Sequence, residues 1–372
     1  MANSFFSSPR VYFGNGALTA LNTLNDRKVA IVTDAFMVSS GKAAALCAHM
    51  PRATVSVYGD VRPDPDIDIL KEGAAHFKAF RPDVIIALGG GSSLDAAKGI
   101  KVTLEEHYQQ HRIELIAIPT TSGSGSEVTS YAIISDPQNG RKYPLVSQAL
   151  VPDIAILDPQ LVLSVPRHIA VDTGMDVLTH AIEALVSTGA NDFSDALAEK
   201  AIALVWRYLP QVYSNEQDIC ARTHMHNASC MAGMAFNSAG LGLVHGMAHA
   251  LGGMLHIPHG KINAMLLPLL IEFNSEQASA QTTERYVKLG KILGIEQGSA
   301  PQIIAQTVAK IRALNQHFGI PATLKALGTD SAMFEPLRQP LVHATLADGC
   351  TASNPRQPTE QDIDRLLTQI AG

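Results

Sequence analysis

Short β-branched runs alternate with helical stretches over about the first 160 residues, which restricts the chain to few architectures. Lys28–Asp34, Lys-Val-Ala-Ile-Val-Thr-Asp, is apolar until its polar end, as a strand buried on both faces would be. A helical stretch at 41–49 leads to a strand at Ala53–Tyr58. From Asp66 to Phe80, the residues Ile67, Leu70, Ala74 and Phe77 recur at helical spacing. Asp83–Leu88 and Glu114–Ile118 read as two further buried strands. Such alternation predicts a parallel sheet with helices on both faces, a doubly wound Rossmann-like α/β domain. After Pro166 the texture changes to 3.6-residue periodicity with no convincing strand. Helices are expected at Asp192–Leu209, Thr283–Leu293, Pro301–Phe318 and Glu360–Ile370, the last two opening on helix-start signals. The expected division is an α/β domain over 1–166 and an all-α domain over 167–372.

Composition excludes several function classes. The 372 residues suffice for two cores, and 46% apolar with 17% charged residues is the profile of a soluble enzyme. The net charge of −6, without a basic stripe, argues against nucleic acid or an anionic membrane as partner. No apolar run has the length of a membrane span, and the N-terminal stretch is too short and polar for a secretory signal. Cys47, Cys220, Cys230 and Cys350 are far apart, with no Cys-x-x-Cys, and read as reduced thiols of a cytoplasmic protein.

Gly240–Gly260 carries four of the 14 histidines, His245, His249, His256 and His259, in one apolar, glycine-rich stretch. His245 and His249 are one helical turn apart on the same face. A buried imidazole has two nitrogens to satisfy, and a divalent metal best explains several converging; core histidines bonded to carbonyls are the alternative. Asp176 and His180 repeat the i, i+4 spacing upstream, either as a second half-site or as an ordinary exposed helical pair. Asp176, His180, His245 and His259 together would offer one carboxylate and three imidazoles, a donor set suited to Fe²⁺ or Zn²⁺. His245 is followed by Gly246, so the His-Glu-x-x-His of a zinc protease is missing. The helical half, near a cleft between domains, is the expected place for these half-sites.

Gly89-Gly-Gly-Ser-Ser-Leu-Asp-Ala-Ala-Lys98 follows a predicted strand and opens a helix. Such a loop lets backbone approach a phosphate and presents the free N–H groups of a helix N-terminus, with Ser92 as a further donor. A tight turn with glycines for packing is the alternative. Pro119-Thr-Thr-Ser-Gly-Ser-Gly-Ser-Glu127 is a second hydroxyl- and glycine-rich loop after a strand, and two such loops favour a dinucleotide. Asp34, at the end of an early strand, is either a turn residue or an acceptor for an adenosine ribose. A carboxylate there would repel a 2′-phosphate and favour NAD over NADP.

Together these segments resemble the iron-dependent (group III) alcohol dehydrogenase family. The signals are 89–92, 119–127, Gly-Met-Asp-Val-Leu-Thr-His-Ala-Ile-Glu at 174–183, Gly-Leu-Val-His-Gly-Met-Ala-His at 242–249, Pro-His-Gly at 258–260 and Asn-Pro-Arg at 354–356. Ser-Asp-Pro at 135–137, Lys-Tyr-Pro-Leu at 142–145 and Met-His-Asn-Ala-Ser at 225–229 look most like the propanol/ethanol dehydrogenases of bacterial microcompartments. The resemblance implies a dehydroquinate synthase-like fold and a metal, Fe²⁺ or else Zn²⁺, on Asp176, His180, His245 and His259. It implies NAD(H) contacts from Asp34, Gly90, Gly91, Ser92, Thr120, Thr121, Ser124 and Lys142. His249 would line the active site without binding metal, and Tyr131, Phe236, Leu241 and Cys350 would form the substrate pocket. His256 matches no ligand and is expected to be structural. Ser124 stands where threonine is commoner in the family, with the hydroxyl kept.

The expected activity is NAD- and metal-dependent interconversion of short primary alcohols and aldehydes, mainly as aldehyde reductase. The expected partners are the small substrate, a second copy of the chain in a dimer, and microcompartment enzymes or shell, in the cytoplasm or inside a microcompartment. One rival is a glycerol- or diol-type dehydrogenase of the same superfamily. A dehydroquinate synthase-type lyase is disfavoured because the second loop lacks the clustered Lys and Arg of a phosphorylated-substrate site. A non-catalytic nucleotide- and metal-binding sensor or shell-docking protein is the rival from another class.

Overall fold

The computed structural model describes residues 9–109, 111–136 and 141–372. Residue contacts gather the described part into two units. One contains the chain through Val165 together with Gln217–Gly233; the other contains Pro166–Glu216 and Met234–Gly372.

The first unit is built on six parallel strands: β1 (Arg10–Phe13), β2 (Lys28–Asp34), β3 (Thr54–Val61), β4 (Val84–Gly89), β5 (Glu114–Pro119) and, after the hairpin described below, β8 (Ile154–Leu157). Their order across the sheet is β1-β8-β5-β4-β2-β3. Side chains alternate between the two faces. Ala30, Val32, Ile85, Ala87, Leu115 and Ala117 pack on one side with Leu70, Phe77, Ile100 and Leu104 from the helices Ile67–Lys78 and Gly91–Tyr108. Val29, Ile31, Val84, Ile86, Ile116 and Ile118 pack on the other with Leu21, Leu24, Leu46 and Met50. Coverage of both faces explains why these strands are apolar throughout rather than alternating.

β2, β3, β4 and β5 match the sequence expectation. β1 and β8 are four residues each, too short for a periodicity to register. Also unforeseen is the antiparallel pair β6 (Tyr131–Asp136) and β7 (Arg141–Val146), in which Pro144 lies opposite Ile133. A proline is tolerated there because a strand with a single partner has an edge that needs no donor.

The second unit is helical, and no strand follows Leu157 among the described residues. At its centre the helix Arg167–Val186 is buried on every side from Gly174 onward, as a helix enclosed by other helices must be. It packs against Asp192–Ser214, His259–Glu276 and Ala280–Ile292. The two expected start signals act as such: Thr359 forms a capping box for Glu360–Ala371, and Ser299 with Pro301 opens Ala300–His317; Asn191 forms a further capping box for Asp192–Ser214. No helix is long and apolar enough to cross a membrane among the described residues.

Residues 217–233 belong with the sheet through specific contacts. Arg222 donates to the Val165 carbonyl at 2.8 Å, and Ser122 Oγ and His226 Nδ1 are 3.0 Å apart. A Cβ on Gly233 would lie 2.9 Å from Gly125 Cα and 3.0 Å from its carbonyl oxygen. Backbone this close cannot give way. Gly233→Ala should therefore cost about 1–3 kcal/mol of stability, read as a lower urea midpoint; an unshifted midpoint would contradict the close approach.

Candidate metal centre and cofactor loops

Three helices of the helical unit bring their polar residues to one point. Arg167–Val186 carries Asp176, His180 and Glu183 at i, i+4 and i+7, which share a face. Leu243–Leu255 carries His245 and His249, and His259–Glu276 opens on His259 with Asn263 one turn later. Asp176 Oδ1 lies 3.5 Å from His245 Nε2, 3.6 Å from His259 Nε2 and 3.8 Å from His180 Nε2. Donors about 2.1 Å from a tetrahedral ion are roughly 3.4 Å apart, so these separations fit a divalent ion. The donor atoms of Asp176, His180 and His245 all lie within 4.8 Å of one another. Neither carbonyl-satisfied core histidines nor an exposed Asp176–His180 pair describes this arrangement.

The electrostatics agree with the geometry. Burial pushes the Asp176 carboxyl up, but the imidazoles of His180, His259 and His245 outweigh it and hold the group far below the usual carboxylate range. Burial pulls His245 down, but hydrogen bonds to Asp176 and Glu183 raise it to about 9. An ion entering beside Nε2 must displace a proton there. His259 is lowered to about 3, by burial first, with further lowering from His249, His245 and His180. A neutral imidazole of this kind is ready to act as a ligand. The Asn263 amide nitrogen sits among these donors, 2.6 Å from Asp176 Oδ1, 3.0 Å from His259 Nε2 and 3.2 Å from His245 Nε2.

Glu183 is a residue of this centre that sequence reasoning missed. Its carboxylate accepts from His245 Nδ1 at 2.6 Å, from Val244 N at 2.7 Å and from Gly242 N at 3.0 Å. It thus fixes the His245 tautomer and caps the helix Leu243–Leu255, whose own N-cap, Gly242, has no side chain to do so. The i+7 spacing from Asp176 was the available signal. Asn354 of the Asn-Pro-Arg motif accepts from Leu243 N at 3.1 Å, giving that motif a role at the same helix end.

His249 lies beside the cluster, stacked on His259 at 5.3 Å, with Nδ1 2.9 Å from Asp348 Oδ2. Phe236 stacks on His180 at 4.6 Å. Leu241 is buried, and burial, then the charges of Asp348 and Glu183, push the Cys350 thiol well above its ordinary value. His256 ends its helix in the left-handed region, with its N–H bonded to the Gly252 carbonyl. Tyr131, the remaining predicted pocket residue, opens β6 in the sheet unit, where its carbonyl accepts from Lys98 Nζ at 2.6 Å.

In the sheet unit, the strand order reverses between β2 and β4: β3 lies outward on one side, and β5 and β8 follow on the other. Ligands of such sheets bind outside the carboxyl ends of the strands at this switch point. Asp34 ends β2, the glycine loop follows β4, and the second loop follows β5. Gly90 is the N-cap of Gly91–Tyr108 and offers no side-chain bond, which leaves that helix end open to an anion. Side chains built on Gly90 and Gly91 would touch Thr121 Oγ1 at 3.5 Å and Ser124 Oγ at 3.2 Å. The predicted loop residues therefore face one another. Ser92 Oγ accepts from Asp64 N at 3.3 Å, and Thr120 is buried, its N–H on the Gly89 carbonyl at 2.9 Å. Asp34 acts at the turn, one of its two sequence readings. Its Oδ1 caps the short helix Ala35–Ser39 through Met37 N, while Oδ2 lies over Gly89. The side chain of Lys142 lies outside the described residues.

Two supports of these loops had no individual signal. Asp95 accepts from Ser126 Oγ at 2.7 Å and from Ile133 N at 3.0 Å, tying the first helix to the end of the second loop. Lys98 Nζ donates to the Thr129 carbonyl at 3.0 Å; its burial, offset in part by Asp95 and Glu127, lowers it to about 8.

Purified His245→Ala and Asp176→Ala should each lose bound divalent metal while keeping their secondary structure. Glu183→Gln should weaken metal affinity about 10–100-fold, the usual effect of losing a partner behind a ligand. Metal content and circular dichroism decide. Full occupancy in either alanine variant would remove the metal assignment.

Residues 8–159 match the iron-containing alcohol dehydrogenases, and residues 170–371 match the C-terminal region of the Fe-containing alcohol dehydrogenase family. The chain is 43% identical over 371 residues to the 1-propanol dehydrogenase PduQ of Salmonella typhimurium, covering 99% of this chain and 100% of that one. Among solved structures, a 1,3-propanediol oxidoreductase superposes with a TM-score of 0.91 at 31% identity, covering 99% and 100% of the two chains. A sulfoacetaldehyde reductase from Bifidobacterium kashiwanohense in complex with NAD+ does so with 0.88 at 27%, covering 100% and 99%. The alternating sheet, the Asp-His₃ cluster and these matches agree: the chain is an oxidoreductase that belongs to the iron-containing alcohol dehydrogenase family.

Proposed function

We propose that this enzyme reduces short unbranched aldehydes, propanal or acetaldehyde, to primary alcohols with NADH. The observation that carries this reading is the single Asp176 oxygen faced by three imidazole Nε2 atoms at 3.5–3.8 Å. Asp176, His180, His245 and His259 would hold the divalent ion, Fe²⁺ or else Zn²⁺. Its chemistry is Lewis acidity, which polarises a carbonyl or lowers the pKa of an alcohol. Asp34, Gly90, Gly91, Ser92, Thr120, Thr121, Ser124 and Lys142 bind the dinucleotide, whose nicotinamide carries the hydride. The NAD+ held by the sulfoacetaldehyde reductase structure supports that cofactor.

In this reading His249 exchanges the substrate proton with solvent and does not bind metal. Tyr131, Phe236, Leu241 and Cys350 line the substrate pocket. Two aromatic rings with a leucine and a neutral thiol give little polar lining for a second hydroxyl, which disfavours glycerol. The similarity to a 1-propanol dehydrogenase supports a three-carbon substrate. We further propose a cytoplasmic, microcompartment-associated dimer, to be tested by native mass and by co-purification with shell fragments.

The test is kcat/KM for NADH-dependent reduction across two- to eight-carbon aldehydes, with glycerol oxidation alongside. The optimum should lie at two to four carbons and fall off gradually, since each methylene is worth about 1 kcal/mol in an apolar slot. Tyr131→Ala should move it to longer chains. Glycerol as the best substrate, or an optimum that does not move, would defeat the pocket assignment.

NADH should be preferred over NADPH in the unmodified enzyme, and Asp34→Gly should relax the preference because repulsion of a 2′-phosphate disappears. Equal use of both by the unmodified enzyme would remove Asp34 from the ribose.

A further inference from the structure

Both histidines of the helix Leu243–Leu255 that face the centre have Nδ1 engaged by a carboxylate from a distant segment. Glu183 takes His245 and Asp348 takes His249. The second pair has no counterpart in the sequence signals. Asp348 follows the helix Arg338–Ala347 as its C-cap, where the helix dipole disfavours a negative charge. Burial opposes the charge as well, yet the hydrogen bond from His249, its charge and the Cys350 N–H hold the carboxyl below its ordinary value. Nothing in the local turn requires an acid at this cost.

The turn is held rigidly against the histidine helix. Cys350 N donates to Asp348 Oδ1 at 2.8 Å, so the other oxygen is the one turned to His249. Thr351 Oγ1 donates to the Thr345 carbonyl at 2.7 Å and lies against Gly246, where a Cβ would clash with it. Ser353 Oγ donates to the Leu241 carbonyl at 2.8 Å. The carboxylate is thereby placed beside one turn of the helix, and the His249 ring is confined between Asp348 and the His259 ring.

We propose that Asp348 is a positioning residue for the reaction, holding His249 in the Nδ1–H tautomer so that Nε2 is the atom that exchanges the substrate proton. This rests on the role proposed above for His249. In alcohol oxidation the hydroxyl proton would pass to Nε2 as a bound nicotinamide accepted the carbinol hydride, and the imidazolium would then release its proton to solvent. Aldehyde reduction runs the same steps in reverse. The bond to Asp348 keeps the Nδ1 proton in place throughout.

The experiment is a double-mutant cycle on iron-loaded enzyme. Parent, Asp348→Asn, His249→Gln and the double variant are compared in kcat and KM for propanal, NADH affinity and iron content. His249→Gln should lower kcat by about 10²-fold or more, with iron content and NADH affinity unchanged. Asp348→Asn should lower it by roughly 10-fold or more in the parent, and by nothing further once His249 is gone, because the two act as a unit. Asp348→Glu, which keeps a carboxylate, should recover part of the loss and guards against a misfolded asparagine variant. The same fold loss in both backgrounds, an unaffected kcat in Asp348→Asn, or equal losses for Asn and Glu would overturn the pairing. An unaffected kcat in His249→Gln would overturn the proton role of His249 itself, a separate failure.

Discussion

A carboxylate buried where three helices meet must be compensated, and the arrangement of the helical unit follows from how Asp176 is. An unpaired charge removed from water costs several kcal/mol. Here the compensation comes from imidazoles on different helices and from the Asn263 amide. The helices Arg167–Val186, Leu243–Leu255 and His259–Glu276 can satisfy Asp176 only by converging on it. Glu183 extends the network, since the same side chain that neutralises His245 also caps the helix that carries it. Core packing and site geometry are therefore one solution.

The sheet unit solves a different problem. A parallel sheet leaves its strand ends open at the point where strand order reverses, and here two loops and Asp34 collect at that opening. The loops need supports because glycine and serine have little side chain with which to hold a conformation. Asp95 ties the second loop to the helix that begins at the first, and His226 bonds to Ser122 from 104 residues later in the chain. Rigid surroundings let a glycine-rich backbone remain open to a phosphate without collapsing.

Local spacing made much of this legible. The i, i+4 pairs Asp176–His180 and His245–His249 survive folding because a helix imposes its own geometry on near neighbours. The central strands were readable because burial on both faces demands an unbroken apolar run. β1, β8 and the hairpin β6–β7 were not, since four-residue strands and a proline-containing edge carry no periodicity. Asp34 caps a helix with one oxygen while the other faces the glycine loop.

The sequence by itself determined which residues share a helical face, where apolar runs demand a doubly covered sheet, and which donor chemistry the chain possesses. Only tertiary structure decided that His259 joins Asp176, that Glu183 rather than a backbone carbonyl orients His245, and that Asp348 pairs with His249. Those partners lie 62 and 99 residues apart in the second and third cases. No spacing rule reaches that far, because a contact between separate helices depends on how both pack, and packing is settled by the whole core at once.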